Sequence, residues 1–248
     1  MQTRLEREGS LMQLSAPIYK LKQSAKQLAR QTGIPLSKAL DQLAIEQGFQ
    51  SWSHLASSTS RSDPAQAILA WLRPGDLALL GARPGHGKTV LALELAGLAS
   101  NHGYRGFFFT LDYHARDIAT QLAVHGVDAG TGPDRTVFDT SDNISADYIV
   151  DRVKGQTRPA LIVVDYLQLL DQKRSNPSLD NQIKKLCRYL AASRAICVLI
   201  SQIDRSFDPD ARSMPDISDL RLPNPVDLSA FSKMIFLHDG KIQIDRAA

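Results

Sequence analysis

Residues 77 to 97, LALLGARPGHGKTVLALELAG, run apolar without interruption, break into a glycine-rich turn and resume with apolar positions at helical spacing. The pattern predicts strand, loop and helix. The alternation continues: strands are expected over 77-81, 106-111, 136-139, 160-165 and 196-201, and helices over 88 to about 101, about 114 to 124, 144-154 and near 178-194. A long polar loop and two further strands, near 233-237 and 241-244, complete the series. Strands that alternate with helices and are apolar on both faces imply an α/β fold with a mostly parallel sheet covered on two sides. Ligands of such sheets bind beyond the carboxyl ends of the strands, so the strand ends are where chemistry is sought.

Upstream, residues 16 to 56 have a different period. Ile18, Leu21, Ala25 and Leu28 fall on one helical face, Thr32 and Gly33 form a stop, and Leu36, Leu40, Leu43 and Ala44 mark a second face. Gly48 suits a helix C-cap, after which FQSWSHLAS predicts a brief third helix that lays Phe49, Trp52 and Leu55 over the pair. Lys20, Lys22, Lys26 and Arg30 gather on the first helix, where a solvated face is the simpler reading than a nucleic-acid surface. SSTSRSDPAQ, residues 57 to 66, has the composition of a linker, so a small all-α module and its linker are expected over 1-60 and an α/β domain over 61-248.

The loop at 82-90 carries its own chemistry. Successive backbone N–H groups in such a turn point into one concavity, with the positive end of a helix dipole behind them, and this suits a polyphosphate. Gly85 and Gly87 allow close backbone approach, Lys88 reaches toward the β and γ phosphates, and the Thr89 hydroxyl can ligate Mg2+. The nucleotide-binding stretch comprises Ala82, Arg83, Pro84, Gly85, His86, Gly87, Lys88, Thr89 and Val90. In the pattern G-x-x-x-x-G-K-[ST] the first glycine falls at position 82, where this chain has Ala82, with Gly81 one step early.

Other strand ends supply partners. ALIVVDYLQLL ends its strand in Asp165, placed to hold Mg2+ opposite Thr89, although an aspartate there also serves as a turn or cap. GFFFTLDY brings Asp112 to where a base for the attacking water is needed, and ICVLISQIDRS brings Gln202, whose amide can both donate and accept. Lys88, Asp112, Asp165 and Gln202 are the catalytic candidates.

ARPGHGKT, LIVVDYLQLL, SQIDRS and the later SDLR, in this order, resemble the ATPase domain of DnaB-type replicative DNA helicases, a RecA-like P-loop NTPase, over residues 75 to about 240. That family often carries Ala-Arg-Pro at the start of its phosphate loop, which accounts for Ala82. The resemblance implies ATP and Mg2+, homo-oligomers up to hexameric rings with ATP or ADP between subunits, and single-stranded DNA in the central channel. It assigns phosphate and magnesium roles to Lys88, Thr89 and Asp165, the sensor role to Gln202, and the sensor-segment arginine to Arg205. Loops DQKRSNPSLDN and IDRSFDPDARSMPD lie where the family contacts DNA, with Lys173, Arg174, Arg205 and Arg212 as candidates to touch phosphates.

The chain also departs from the family. Thr110-Leu111-Asp112-Tyr113 stands where the family has Ser-Leu-Glu-Met, so the base is one methylene shorter. The chain ends at KIQIDRAA where the family continues to a Lys-x-Arg finger, leaving Arg205, Arg212 and Arg246 as internal substitutes. The module at 16-56 replaces the family's large N-terminal domain. Two functions are therefore expected of such a chain: a helicase-like ATPase acting on DNA, or a nucleotide-gated regulatory protein whose N-terminal helices hold the partner.

Composition bounds the rest. At 248 residues and 43% hydrophobic content the chain can bury a full core, and a net charge of +3 does not by itself indicate a nucleic-acid binder. Cys187 and Cys197 lack metal-ligand spacing and are expected as free buried thiols in a reducing cytoplasm; His86, His114 and His125 likewise have no ligand partners. No apolar leader or run of about 18 apolar residues predicts a membrane segment.

Overall fold

The computed structural model describes residues 18-53, 55, 64-113, 118, 120, 122, 127-129, 132, 135-173, 175-222, 224-238 and 241-246. The chain divides into two compact units, Met1–Arg61 and Ser62–Ala248.

In the first unit, α1 (Ile18–Thr32) and α2 (Leu36–Glu46) form as the apolar spacing requires, separated at Gly33, whose φ of 71° ends α1 in the left-handed region. Leu21, Ala44 and Leu55 are buried together, with Phe49 and Trp52 packed against them. Asp41 accepts the backbone N–H of Trp52 at 2.8 Å and so fixes the start of the last turn. Leu36 departs from its expected place: it is exposed, as is Ile45, because α2 buries the stripe through Ala39 and Ala44.

The second unit opens with α3 (Pro64–Trp71), a helix that begins inside the stretch read as linker. Then follow β1 (Leu77–Ala82), α4 (Lys88–Gly97), a 3-10 turn (Leu98–His102), β2 (Arg105–Thr110) and β3 (Val137–Asp139). The chain continues through α5 (Ala146–Val153), β4 (Ala160–Asp165), a 3-10 turn (Leu167–Asp171), α6 (Leu179–Ser193) and β5 (Ile196–Ile203). The short β6 (Leu220–Arg221), β7 (Lys233–His238) and β8 (Lys241–Arg246) complete it. Of the helix expected near 114 to 124, Ile118, Thr120 and Leu122 are helical and the remainder, with His114, lies outside the described residues, as does His125.

The strands form one eight-stranded sheet in the order β3-β2-β4-β5-β1-β7-β8, with β6 paired to β5. From β3 to β7 the path is parallel, and β8 and β6 are antiparallel additions. Residue parity sorts the strands' side chains into two cores. Leu77, Leu79, Phe107, Phe109, Ile162, Val164, Cys197 and Leu199 pack with α5 and α6. Ala78, Leu80, Phe108, Leu161, Val163, Val198 and Ile200 pack with α3 and α4. A continuous apolar strand is what a sheet covered on both faces demands.

One glycine brings α4 close to the sheet and a second lets the chain at Asp128 approach α4. A Cβ on Gly106 would lie 2.2 Å from the Ala96 carbonyl oxygen, and one on Gly97 would lie 2.7 Å from that of Asp128. The Thr136 hydroxyl then donates to the Ala96 carbonyl at 3.0 Å. Gly81 has a packing role too: its missing Cβ would meet Ile203, Leu220 and Phe236 side-chain atoms at 3.0 to 3.1 Å. Among the described residues no helix is long and apolar enough to cross a membrane.

Candidate nucleotide site

β1 lies between β5 and β7, with Ala82 in register with Gln202 on one side and Leu237 on the other. The loop that leaves β1 therefore crosses the ends of both neighbours. Ala82 is a fully buried strand residue, and the turn proper starts at Arg83, whose carbonyl accepts the His86 N–H at 3.2 Å. Gly85 (φ 83°) and Gly87 (φ 85°) adopt left-handed conformations that favour glycine. Leu91 donates to the Gly87 carbonyl at 3.0 Å, the first bond of α4, so the N–H groups of Lys88, Thr89 and Val90 precede any i-4 acceptor. Pro84 and Gly85 are exposed and residues 86 to 90 half-buried, an open cradle of donors.

Directly behind the loop stands the end of β4. Lys88 Nζ donates to Asp165 Oδ1 at 3.3 Å, with Asp165 fully buried and the Lys88 side chain 11% exposed. Lys88 Nζ also lies 5.8 Å from the centre of the Tyr166 ring. Among the described residues Asp165 Oδ2 has no hydrogen-bond partner although it is buried. A buried carboxylate oxygen left without a donor calls for a cation or its water, and carboxylate oxygen suits a hard, oxygen-seeking divalent ion. Among the described residues no group of three or more His, Cys, Asp or Glu is arranged to hold a metal by itself.

Asp112 follows β2, whose last residue Thr110 pairs with Asp165. The buried Thr110 hydroxyl accepts the Asp112 backbone N–H at 3.1 Å, which turns the chain as it leaves the strand. Asp112 is exposed to solvent from the strand end. Its carboxyl is held above the usual carboxylate range, first by partial loss of hydration and then by the negative charge of Asp165, with Lys88 opposing. The neighbouring Tyr113 phenol is pushed up by burial and by the same two carboxylates. An aspartate so placed is a better proton acceptor than a fully hydrated one. Gln202 is half-buried on β5, level with Ala82 and, across the antiparallel pair, with Arg221.

The basic residues assigned to DNA are distributed differently. Arg205 is exposed, in a turn where Asp204 accepts the Ser206 N–H at 2.9 Å. Arg212 is engaged within its own loop: it donates to Asp219 at 2.7 Å, pairs with Asp216, and lies 5.5 Å from the centre of the Phe207 ring. Lys173 pairs with Asn143 and lies 3.8 Å from Asp142. Arg174 and the side chain of Arg246 are outside the described residues. Of the two free thiols, Cys197 is buried, which pushes its thiol up, and Cys187 is half-buried with its Sγ 3.6 Å from the Ala230 carbonyl.

Sequence reasoning missed Thr110, Tyr166 and His238. Tyr166 directly follows Asp165, and Thr110 lies two positions before Asp112. His238 lies at the end of β7 and stacks on His86, the ring centres 4.9 Å apart and the planes 16° from parallel. No local pattern announces that contact, because it depends on strand order.

Comparison with known proteins agrees with this geometry. Residues 134–243 match the sequence profile of the family described as DnaB-like helicase C terminal domain. The chain is 27% identical over 198 residues to the replicative DNA helicase DnaB of Leifsonia xyli subsp. xyli, covering 67% of this chain and 43% of that protein. The chain thus spans less than half the length of that relative. Among solved structures, one described as an ATPase domain superposes with a TM-score of 0.51 at 20% identity, covering 67% of this chain and 70% of that one. A DnaB-like replicative helicase, solved for its interactions with primase, superposes with a TM-score of 0.54 at 16% identity, covering 91% and 72%. With its parallel sheet, its glycine-rich loop after β1 and its aspartate at the end of β4, the chain has a RecA-like fold and is similar, over residues 134–243, to the C-terminal domain of DnaB-like helicases.

Proposed function

We propose that this chain binds ATP with Mg2+ at the phosphate loop, hydrolyses it, and acts on single-stranded DNA as a helicase-like ATPase assembled from several copies. The observation that carries the reading is the buried Lys88–Asp165 pair behind the loop, with Asp165 Oδ2 lacking a partner among the described residues. Lys88 exchanges its carboxylate partner for the β and γ phosphates, and the N–H groups at the head of α4 take the remaining phosphate oxygens. Thr89 and Asp165 hold the magnesium, which when bound neutralises charge on the phosphates. Asp112 accepts the proton of the attacking water, helped by the displacement of its titration above the usual range. Gln202, level with the start of the loop, orients that water and reports it to residues 204-219.

The relatives are named as replicative DNA helicases, which supports DNA as the partner. Exposed Arg205 is the residue of its loop best placed to touch a phosphate backbone. One copy works slowly. Asp112 is one methylene shorter than a glutamate, and a misplacement of about 1 Å costs roughly a hundredfold, while an arginine supplied by a neighbouring copy adds about 10³ to 10⁵ in phosphoryl transfer. Basal turnover is expected well below the ~10 s⁻¹ typical of enzymes, rising at least tenfold when single-stranded DNA and assembly complete the site. Steady-state ATP turnover with and without single-stranded DNA, beside the mass of the assembly in solution, tests this. Turnover that is fast, indifferent to DNA and carried by a monomer contradicts it.

A further inference from the structure

Two loops above the sheet are joined by rings. His86 stands at the crown of the phosphate loop and stacks on His238 of β7 at 4.9 Å. His238, only 5% exposed, meets the Phe207 ring edge to face at 5.2 Å and 84°. Phe207 is itself buried, and the Arg212 guanidinium lies 5.5 Å from its centre. Arg212 then ties down Asp219, whose carboxylate accepts the Asp216 N–H at 2.8 Å and whose carbonyl accepts the Asp204 N–H at 2.7 Å. The series crosses from the end of β7 to the segment after β5, the two strands that flank β1. Strand register places its middle member: Leu237 pairs with Ala82, so His238, the next residue of β7, falls beside the loop.

We infer that His238 is a positioning residue that couples occupancy of the phosphate loop to the order of residues 204-219, through His86 on one side and Phe207 with Arg212 on the other. The inference rests on the reading of the loop as a nucleotide site. A phosphate seated on the N–H groups of residues 85-89 fixes the backbone that carries the His86 ring. A fixed His86 holds His238 in one orientation, and His238 holds Phe207, the buried anchor from which Arg212 and its two aspartates organise the loop. Such coupling is limited by what its ring contacts are worth, about 2- to 10-fold in an equilibrium. It is reciprocal, so a partner that orders residues 204-219 tightens nucleotide binding by the same factor.

The test uses the full chain and the magnesium complex of a non-hydrolysable ATP analogue. Hydrogen exchange of residues 204-219 and calorimetric affinity are measured for wild type, His238→Ala, His238→Phe and Phe207→Leu. The analogue is expected to slow exchange of this segment about 2- to 10-fold in wild type and in His238→Phe, which keeps a ring in both contacts. His238→Ala and Phe207→Leu are expected to bind the analogue within about tenfold of wild type and to lose the slowing. Phe207→Leu also supplies the answer if His238→Ala does not fold. Equal slowing in wild type and a folded ring-deleted variant overturns the coupling and leaves the nucleotide site intact. A folded wild type that does not bind the analogue overturns the nucleotide reading, and this inference with it.

Discussion

Lys88→Ala should destabilise the nucleotide-free protein, which an ordinary surface lysine would not do. Asp165 is fully buried, one of its oxygens lacks a donor among the described residues, and the other receives Lys88 at 3.3 Å. At that separation and an effective dielectric of about 20, the attraction is about 5 kcal/mol. Removing one partner of a buried pair leaves the other charge uncompensated, and typically costs about 3 to 5 kcal/mol. Because the loop side of the pair is open to water, the lower end of that range, about 3 kcal/mol, is expected. For a chain of this size this corresponds to a fall in Tm of roughly 6 to 12 °C. The double variant Lys88→Ala/Asp165→Asn removes the stranded charge and should recover more than half of the loss. Thermal unfolding of the nucleotide-free single and double variants is the assay. A Tm for Lys88→Ala within about 2 °C of wild type, or a double variant no more stable than the single one, would refute the reasoning.

Other consequences follow from the same geometry. Asp112→Asn should lower ATP turnover at least tenfold with little change in nucleotide affinity. In wild type the acid limb of kcat/KM should lie above the usual carboxylate range, since protonation of a base whose titration is raised removes activity as pH falls; a limb that survives in Asp112→Asn assigns the base elsewhere. Gly106→Ala forces a methyl against the Ala96 carbonyl and should cost about 3 kcal/mol, read as a Tm drop of roughly 6 to 12 °C; an unchanged Tm would show that α4 does not dock as closely as described. Residues 62–248 should fold without the preceding unit, because the parallel sheet and both its apolar faces belong to Ser62–Ala248, and a truncated chain without a cooperative thermal transition would contradict this.

The sheet was legible because its strands are buried on both faces, which writes them as uninterrupted apolar runs such as ALIVVD and GFFFT. The strand, glycine-rich turn and helix of the candidate phosphate loop were legible because their pattern is local, with Gly85 and Gly87 in the left-handed region between β1 and α4. Where meaning depended on neighbours in space, the sequence was silent or ambiguous. Gly81 looked like a displaced phosphate-loop glycine, whereas its φ is unremarkable and its place is set by Ile203, Leu220 and Phe236 on three other segments. The start of α3 was hidden by the polar residues before Pro64, although proline is at home in a first helical turn. The helix expected to run to about 101 gives way after Gly97 to a 3-10 turn, at the point where the Asp128 carbonyl comes close. Arg212 was legible as a cation but not as one already engaged by Phe207, Asp216 and Asp219, because those contacts exist only once the loop has closed on itself.

Calorimetric titration of ATP into the full chain, with and without Mg2+, tests the central claim most directly, with Lys88→Ala/Asp165→Asn and Asp165→Asn beside wild type. The account predicts one nucleotide per chain for wild type, binding strengthened by Mg2+, a loss of that strengthening in Asp165→Asn, and loss of most affinity in the double variant. A folded wild-type chain that takes up no ATP, or an Asp165→Asn protein with the same magnesium dependence as wild type, would contradict it.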